Sequence, residues 1–332
     1  MAAGRVFESL ARGLPEPLRL AVLETPAGFE LNSDRVAGRV ADFLAVRLQN
    51  YRPEVTVVAA RRRGTPFSPD DPDITAPLMD ADLIFMGPGS PTYAVRQLTG
   101  SLAWSRLIAR HRVGATLVLS SAAVISASAW ALPVYEIYKA GQDLHWQPGL
   151  DLFGAYGLKL VFVPHWNNTE GGEELDTSRC FMGRSRFERL QAMLPPGATV
   201  VGIDEHTALA LDLGLDGAAE VMGAGSVTVL RAGAVRRFAS GGRFPLTDLG
   251  PFLRPEPADG LPQEVWSEAL TAHEAGASPL QTPSEVCALA AERQAARERG
   301  DWAAADLLRG RIQALGWQVQ DTPEGPHCIP VA

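Results

Sequence analysis

The sequence has little cysteine and no excess of positive charge. Its three cysteines, Cys180, Cys287 and Cys328, are too few and too far apart for a disulfide framework or a zinc-binding spacing, so we expect a reducing, cytoplasmic location and no metal site. The 38 acidic residues exceed the 30 basic ones and give a formal net charge of −8. This charge argues against general binding to nucleic acid or to an acidic membrane.

Long apolar stretches without polar residues are also missing. The one charge-free run long enough to cross a bilayer, residues 113–135, contains four serines and Pro133, so we expect it to be buried in protein rather than in a membrane. Residues 1–17 contain charged side chains and no apolar core, which does not fit a secretory signal. With 332 residues, 46% of them hydrophobic, the chain can build a substantial globular core.

The sequence does contain a regular alternation of apolar runs and helical patterns. Short apolar runs predict strands at 18–23, 55–60, 83–86, 115–119 and 158–163. Helical spacing predicts helices near 33–44, 102–110 and 179–194, and short strands with glycine turns follow in 198–237. This alternation is typical of an α/β fold with a doubly wound, mostly parallel sheet, whose ligands bind beyond the carboxyl ends of the strands.

Composition divides the chain into three parts. Residues 1–245 form the α/β region, and residues 246–283 are rich in glycine, proline and alanine, which predicts a linker. Within 284–332, two apolar helical faces are separated by Gly300-Asp301, and this pattern predicts a small helical hairpin.

The stretch 114–131 (GATLVLSSAAVISASAWA) carries the strongest functional signal. An apolar strand passes through Ser120 and Ser121 into a helix of small residues. A serine at such a corner is presented as a nucleophile, and the first helical N–H groups point at a developing oxyanion. The alternative is a core strand and a core helix whose serines fill small volumes.

Four segments carry a resemblance to a known family. They are Gly87-Pro88-Gly89-Ser90-Pro91-Thr92-Tyr93, similar to a GGGNTF loop; Ser120-Ser121-Ala122-Ala123, at the place of a G-x-S-A-G-A elbow; Pro164-His165-Trp166 with Arg184, Arg186 and Arg189-Leu190, similar to a histidine-bearing strand and an R-x-R-x-x-R-L helix; and Gly202-Ile203-Asp204-Glu205 with Thr207-Ala208-Leu209, similar to a following strand pair. In this order they resemble the serine peptidase family of dipeptidase E and cyanophycinase, over residues of about 18–240. The family has a class I glutamine-amidotransferase-like fold.

The resemblance implies a catalytic trio in this chain. Ser121 takes the place of the nucleophile, His165 that of the general base, and Glu136, fifteen positions after Ser121, that of the acid which orients the histidine. Asp143 and Glu205 are rival acids.

Further roles follow from the same resemblance. The backbone N–H of Ala122 and one from Gly87 or Gly89 are expected to form an oxyanion hole. Arg184, Arg186 and Asn167 are candidate substrate-binding residues. A family that cleaves next to aspartyl residues needs a cation for the substrate carboxylate, and an arginine can supply it. No cofactor is expected. The departure from the family is the elbow, where Leu119 and Ala123 replace two glycines that relieve strain around the serine.

A second resemblance covers the tail. Residues 284–326, with Asp301-Trp302 and Asp321-Thr322-Pro323-Glu324-Gly325, look like the C-terminal segment of cysteinyl-tRNA synthetases. Charges within 284–315 balance, which favours packing or protein contact over binding to phosphate.

These patterns leave three hypotheses open. The first is a serine hydrolase that cleaves a small peptide or isopeptide bond, with bonds next to an acidic residue among the candidates. The second is a catalytically silent, amidotransferase-like binding or regulatory module, and the third is a tRNA-associated protein that binds through its tail. The sequence leaves the oligomeric state open.

Overall fold

The structure, a computed structural model, describes residues 2–215, 217–277, 284–322 and 325–330. Its helices are α1 Ala2–Ala11, α2 Ser33–Arg47, α3 Pro72–Thr75, α4 Pro77–Asp80, α5 Pro91–Leu98, α6 Leu102–Arg112, α7 Ala122–Ser126, α8 Val134–Tyr138, α9 Gly183–Ala192, α10 Gln263–Ala277, α11 Ser284–Glu298 and α12 Trp302–Ala314. Its strands are β1 Arg19–Leu23, β2 Glu54–Val58, β3 Leu83–Met86, β4 Thr116–Leu119, β5 Trp130–Ala131, β6 Gln147–Pro148, β7 Leu160–Val163, β8 Thr199–Ile203, β9 Thr207–Asp212, β10 Ala218–Gly223, β11 Ser226–Arg231, β12 Ala234–Ala239, β13 Arg243–Pro245, β14 Trp317–Thr322 and β15 Gly325–Pro330.

The first sheet is parallel and covered on both faces. Its strand order is β2-β1-β3-β4. Alternate residues of β1 belong to different core clusters. Leu20 and Val22 pack in a cluster that includes Leu44 of α2. Ala21 and Leu23 pack in a cluster that includes Leu107 of α6. Helices therefore pack on opposite faces of the sheet, and the predicted doubly wound α/β fold is confirmed.

The second sheet places two strand ends side by side. Its order is β12-β11-β8-β7, with β7 and β8 parallel and Val163 opposite Gly202. Because parallel neighbours end at the same edge of a sheet, the residues that follow β7 and β8 lie close together. The strands β11 and β12 are antiparallel, and β13-β10-β9 forms a separate antiparallel sheet.

Residues 246–283 differ from the expected linker. They contain helix α10, in which Val265 and Ala269 are buried against Met79 and Ala109. The alanine-rich sequence of this helix favours helix formation, and its apolar side chains are stabilised by packing in this core cluster. Residues 278–283 lie outside the described residues.

The chain divides into two compact units, Met1–His273 and Glu274–Ala332. In the second unit α11 and α12 form the predicted hairpin, and Asp301 caps α12 by accepting a hydrogen bond of 3.1 Å from the N–H of Ala304. A β-hairpin of β14 and β15, which the sequence did not predict, adds Trp317 and Val319 to the core of this unit. Within the described ranges, no helix is both long and apolar enough to span a membrane.

Candidate active site

Ser121 lies at a sharp turn between β4 and α7. Its backbone has φ 52° and ψ −111°, an unfavourable conformation for a residue with a side chain. The turn is held at both ends, since the N–H of Ser120 donates to the carbonyl of Met86 (3.0 Å) and the N–H of Ala123 donates to that of Ser120 (3.1 Å). This is the geometry of a nucleophile elbow.

The elbow forms without the two glycines of the family pattern. Leu119 is half-buried and packs against two core clusters, and Ala123 is fully buried in one of them. A leucine and an alanine at these positions are therefore compatible with the turn, because their side chains enter the core.

His165 stands within hydrogen-bonding reach of Ser121. The Nε2 atom of His165 lies 3.1 Å from the Oγ of Ser121. His165 has φ 53°, and it follows β7 by two residues. The next residue, Trp166, donates its N–H to the carbonyl of Ile203 at the end of β8 (3.0 Å), which fixes the loop on that strand.

The carboxylate beside His165 is Glu205, not Glu136. The Oε1 atom of Glu205 lies 3.4 Å from the Nδ1 of His165. Glu136 is on α8, where its Oε2 is buried without a hydrogen-bond partner among the described residues. The placement follows from the sheet, because Val163 pairs with Gly202 and the residues two and three positions beyond them are His165 and Glu205. The sequence carried this signal in the two adjacent parallel strands, whereas the family resemblance pointed to Glu136, which does not lie beside His165.

Two asparagines orient Glu205. The side-chain N–H of Asn168 donates to Oε1 of Glu205 (2.8 Å), and the side-chain oxygen of Asn167 accepts from the backbone N–H of Glu205 (2.7 Å). Asn168 is only 2% exposed. Asn167, expected from the sequence to bind substrate, instead has its side-chain oxygen engaged with the backbone, and nothing in the sequence distinguished Asn168.

The glycine loop after β3 is tied to a neighbouring segment. Gly89 has φ 146°, and a side chain there would collide with the carbonyl of Pro26. The N–H of Ser90 donates to the same carbonyl (2.9 Å). Gly87 follows β3 directly, and Ala122 is the first residue of α7, so its N–H has no acceptor within that helix. Their role in an oxyanion hole stays a prediction.

The two arginines expected to bind substrate have different surroundings. Arg186 donates to the backbone carbonyls of Met182 (2.6 Å) and Phe181 (2.8 Å). Arg184 is exposed, and its guanidinium makes no hydrogen bond or ion pair with the described residues. It lines a cavity of about 550 Å³, together with Asn167 and Asn168.

Cys180 is not a second nucleophile. Its side chain is buried, and burial raises the pKa of the Cys180 thiol to about 12. A thiol that stays protonated at neutral pH is inert, which fits a packing role.

Comparison with known proteins gives different results for the two parts of the chain. Residues 281–327 match the family model of the cysteinyl-tRNA ligase anticodon binding domain. Cysteine–tRNA ligase of Methanosarcina acetivorans is 45% identical over 53 residues, which is 16% of this chain and 11% of that protein, and Cysteine–tRNA ligase 1 of Burkholderia lata gives the same values. The chain thus spans about a tenth of the length of the curated relatives it matches.

The larger part matches solved structures. A peptidase from an acI-B1 actinobacterium superposes with a TM-score of 0.58 at 19% identity, over 74% of this chain and 91% of that one. A putative peptidase E protein from Listeria monocytogenes gives a TM-score of 0.39 at 15% identity, over 71% of this chain and 92% of that one. The resemblance of the larger part to a peptidase is thus confirmed for the fold, and the resemblance of the tail to cysteinyl-tRNA synthetases is confirmed in sequence. The chain joins a fold that it shares with a solved peptidase to a C-terminal segment similar to the anticodon-binding domain of cysteinyl-tRNA ligases.

Proposed function

We propose that this chain is a serine hydrolase that cleaves a small peptide or isopeptide bond. The observation that carries the proposal is the contact of 3.1 Å between Ser121 Oγ and His165 Nε2 at a strained strand-to-helix turn. Glu205, beside the other ring nitrogen, supplies the carboxylate that favours a proton on Nδ1. The fold shared with a solved peptidase supports the same reaction class.

The proposed reaction proceeds through an acyl-enzyme. Ser121 Oγ attacks the carbonyl carbon while His165 Nε2 takes its proton, and the oxyanion of the tetrahedral intermediate faces the N–H of Ala122 and the Gly87–Gly89 loop. His165 then gives this proton to the leaving amine as the C–N bond breaks. Water attacks the ester in the second half, His165 takes a proton from it, and that proton returns to Ser121 Oγ as the acid product leaves.

A preference for acidic substrates is part of the proposal. The guanidinium of Arg184 makes no hydrogen bond within the described residues, has the Asp176 carboxylate as an electrostatic neighbour, and lines the cavity beside the Asn167–Asn168 pair. Guanidinium groups bind carboxylates through paired, charge-assisted hydrogen bonds. Arg184 is therefore the candidate partner for an acidic group of the substrate.

The central test replaces Ser121 with alanine. Turnover of a library of Asp-containing dipeptides should fall by at least about 10³-fold, because the nucleophile is gone. Circular dichroism and the melting temperature should stay close to those of the wild type. Turnover at the wild-type rate in Ser121→Ala would reject this nucleophile. A wild-type protein that neither hydrolyses the library nor reacts with a fluorophosphonate would favour the silent binding module.

The tail supports a second candidate function, association with tRNA. The supporting observation is the match of residues 281–327 to an anticodon-binding domain. If the tail binds tRNA, the full chain should show binding that weakens as salt increases, and a chain that ends at His273 should show none. Equal binding by both proteins, or no binding by either, would exclude this role for the tail.

A further inference from the structure

Three consecutive residues near the site have a left-handed backbone. Arg179, Cys180 and Phe181 have φ values of 57°, 56° and 68°. This conformation is unfavourable for residues with a Cβ atom, and outside glycine it is visited mainly by asparagine and aspartate, usually one residue at a time. A run of three persists only where the surrounding contacts determine it.

This left-handed turn, residues 179–181, lies directly against His165. The N–H of Cys180 donates to the carbonyl of His165 (3.1 Å), and the N–H of Arg179 donates to that of Trp166 (3.0 Å). The ring centroids of Phe181 and His165 are 6.5 Å apart. The backbone that carries the imidazole is therefore fixed from this side by the turn.

Arg186 fixes the other side of the turn. From α9 its Nε–H donates to the carbonyl of Met182 (2.6 Å), and a terminal N–H donates to that of Phe181 (2.8 Å). Both carbonyls precede the helix. A guanidinium reaches two acceptors at once with a rigid planar group, whereas the single ammonium of lysine lacks this fork.

We propose that Arg186 is a positioning residue, which holds the left-handed turn against His165 and so keeps the imidazole facing Ser121. The catalytic consequence rests on the proposed hydrolase function. The role differs from binding a substrate carboxylate, because it affects every substrate and not only acidic ones. Loss of a positioning residue lowers kcat, whereas loss of a carboxylate partner raises KM for acidic substrates.

The test compares Arg186→Ala with Arg189→Ala, which removes an exposed arginine from the same helix. The main readout is the rate at which a fluorophosphonate without a carboxylate labels Ser121. We expect labelling to be at least about tenfold slower in Arg186→Ala, to recover partly when guanidinium is added, and to be unchanged in Arg189→Ala. Normal labelling of Arg186→Ala, with a raised KM for Asp-containing dipeptides alone, would overturn the proposal.

A second variant covers a failure of Arg186→Ala to fold. Arg186→Lys keeps the charge and the aliphatic stem but cannot donate from the same fork, so we expect the same slow labelling. Labelling of Arg186→Lys at the wild-type rate would overturn the proposal.

A third readout separates this proposal from the hydrolase proposal. If the wild type neither labels nor hydrolyses, the hydrolase proposal fails, and the position of the imidazole is then followed by NMR of its ¹³Cε1 signal, assigned with His165→Gln. We expect this signal to shift or broaden in Arg186→Lys and to stay in place in Arg189→Ala. An unmoved signal in Arg186→Lys would overturn the positioning role.

Discussion

Glu205 and Glu136 differ in their position relative to His165. Glu205 lies 3.4 Å from its Nδ1 and is held by Asn168, whereas Glu136 is on α8. We expect Glu205→Gln to lower kcat by about 10³- to 10⁴-fold, because the amide can favour the wrong tautomer of the imidazole and does not stabilise its charged form.

Glu136→Gln is the matched control for this prediction. The substitution is the same, and steady-state kinetics on one peptide substrate should give a kcat within about threefold of the wild type, since Glu205 and not Glu136 lies beside His165 and a near-isosteric amide removes no packing at the partly buried position 136. A loss in Glu136→Gln equal to that in Glu205→Gln would contradict the assignment of the acid.

At the residue scale, the sequence indicated the positions that a motif marked. Ser121 and His165 follow apolar strands that are visible in the sequence, and the structure brings them into contact. Glu205 was only a rival acid, because its proximity to His165 depends on the pairing of β7 with β8, which is a long-range feature. Asn168 carried no signal, since its role depends on the direction of one buried side chain.

At the scale of elements, α10 is the clearest difference between expectation and structure. Val265 is 6% exposed and packs in the cluster that contains Met79 and Ala109. We expect Val265→Ala to lower the free energy of unfolding by about 2 kcal/mol, because two methyl groups leave a packed site. Urea denaturation followed by far-UV circular dichroism measures this change.

The exposed Leu270 on the same helix provides the comparison. It is 38% exposed, so Leu270→Ala should change the free energy of unfolding by less than about 0.5 kcal/mol. If Val265→Ala were as mild as Leu270→Ala, the helix would not be part of the core, and the original expectation of a loose linker would stand.

Helices and strands with a clear periodic spacing of apolar residues were predictable from the sequence, and those without such a spacing were not. The strand at 83–86 was predicted with the bounds of β3, and the helix predicted near 33–44 lies within α2. The segment of α10 lies in a region whose glycine and proline content predicts irregular structure, yet its own 15 residues contain a single glycine and no proline. The pairing of β14 with β15 was not predicted, because the sequence from Trp317 onward was interpreted only as the end of the helical hairpin.

At the scale of the whole molecule, each compact unit has its own core. The buried residues of the second unit come from 286–319, and its two helices and β-hairpin contribute to one cluster. We expect a chain that ends at His273 to fold and to keep the proposed hydrolytic activity within about twofold of the full chain. Activity assays and the thermal unfolding midpoint of the two proteins provide the comparison.

Loss of activity in the shortened chain would show that the tail supports the hydrolase directly. Replacing Ile312 with aspartate in the full chain is the matched variant, since this side chain is fully buried in the cluster of the second unit. It should disrupt that unit and leave hydrolysis unchanged.

The closure of the tail's core by Trp317 and Val319 has a consequence for how this protein arose. A segment with a core cluster of its own can be joined to another chain without any change to that chain's interior. We infer that a segment similar to one in cysteinyl-tRNA ligases was joined in this way to the fold that this chain shares with a solved peptidase.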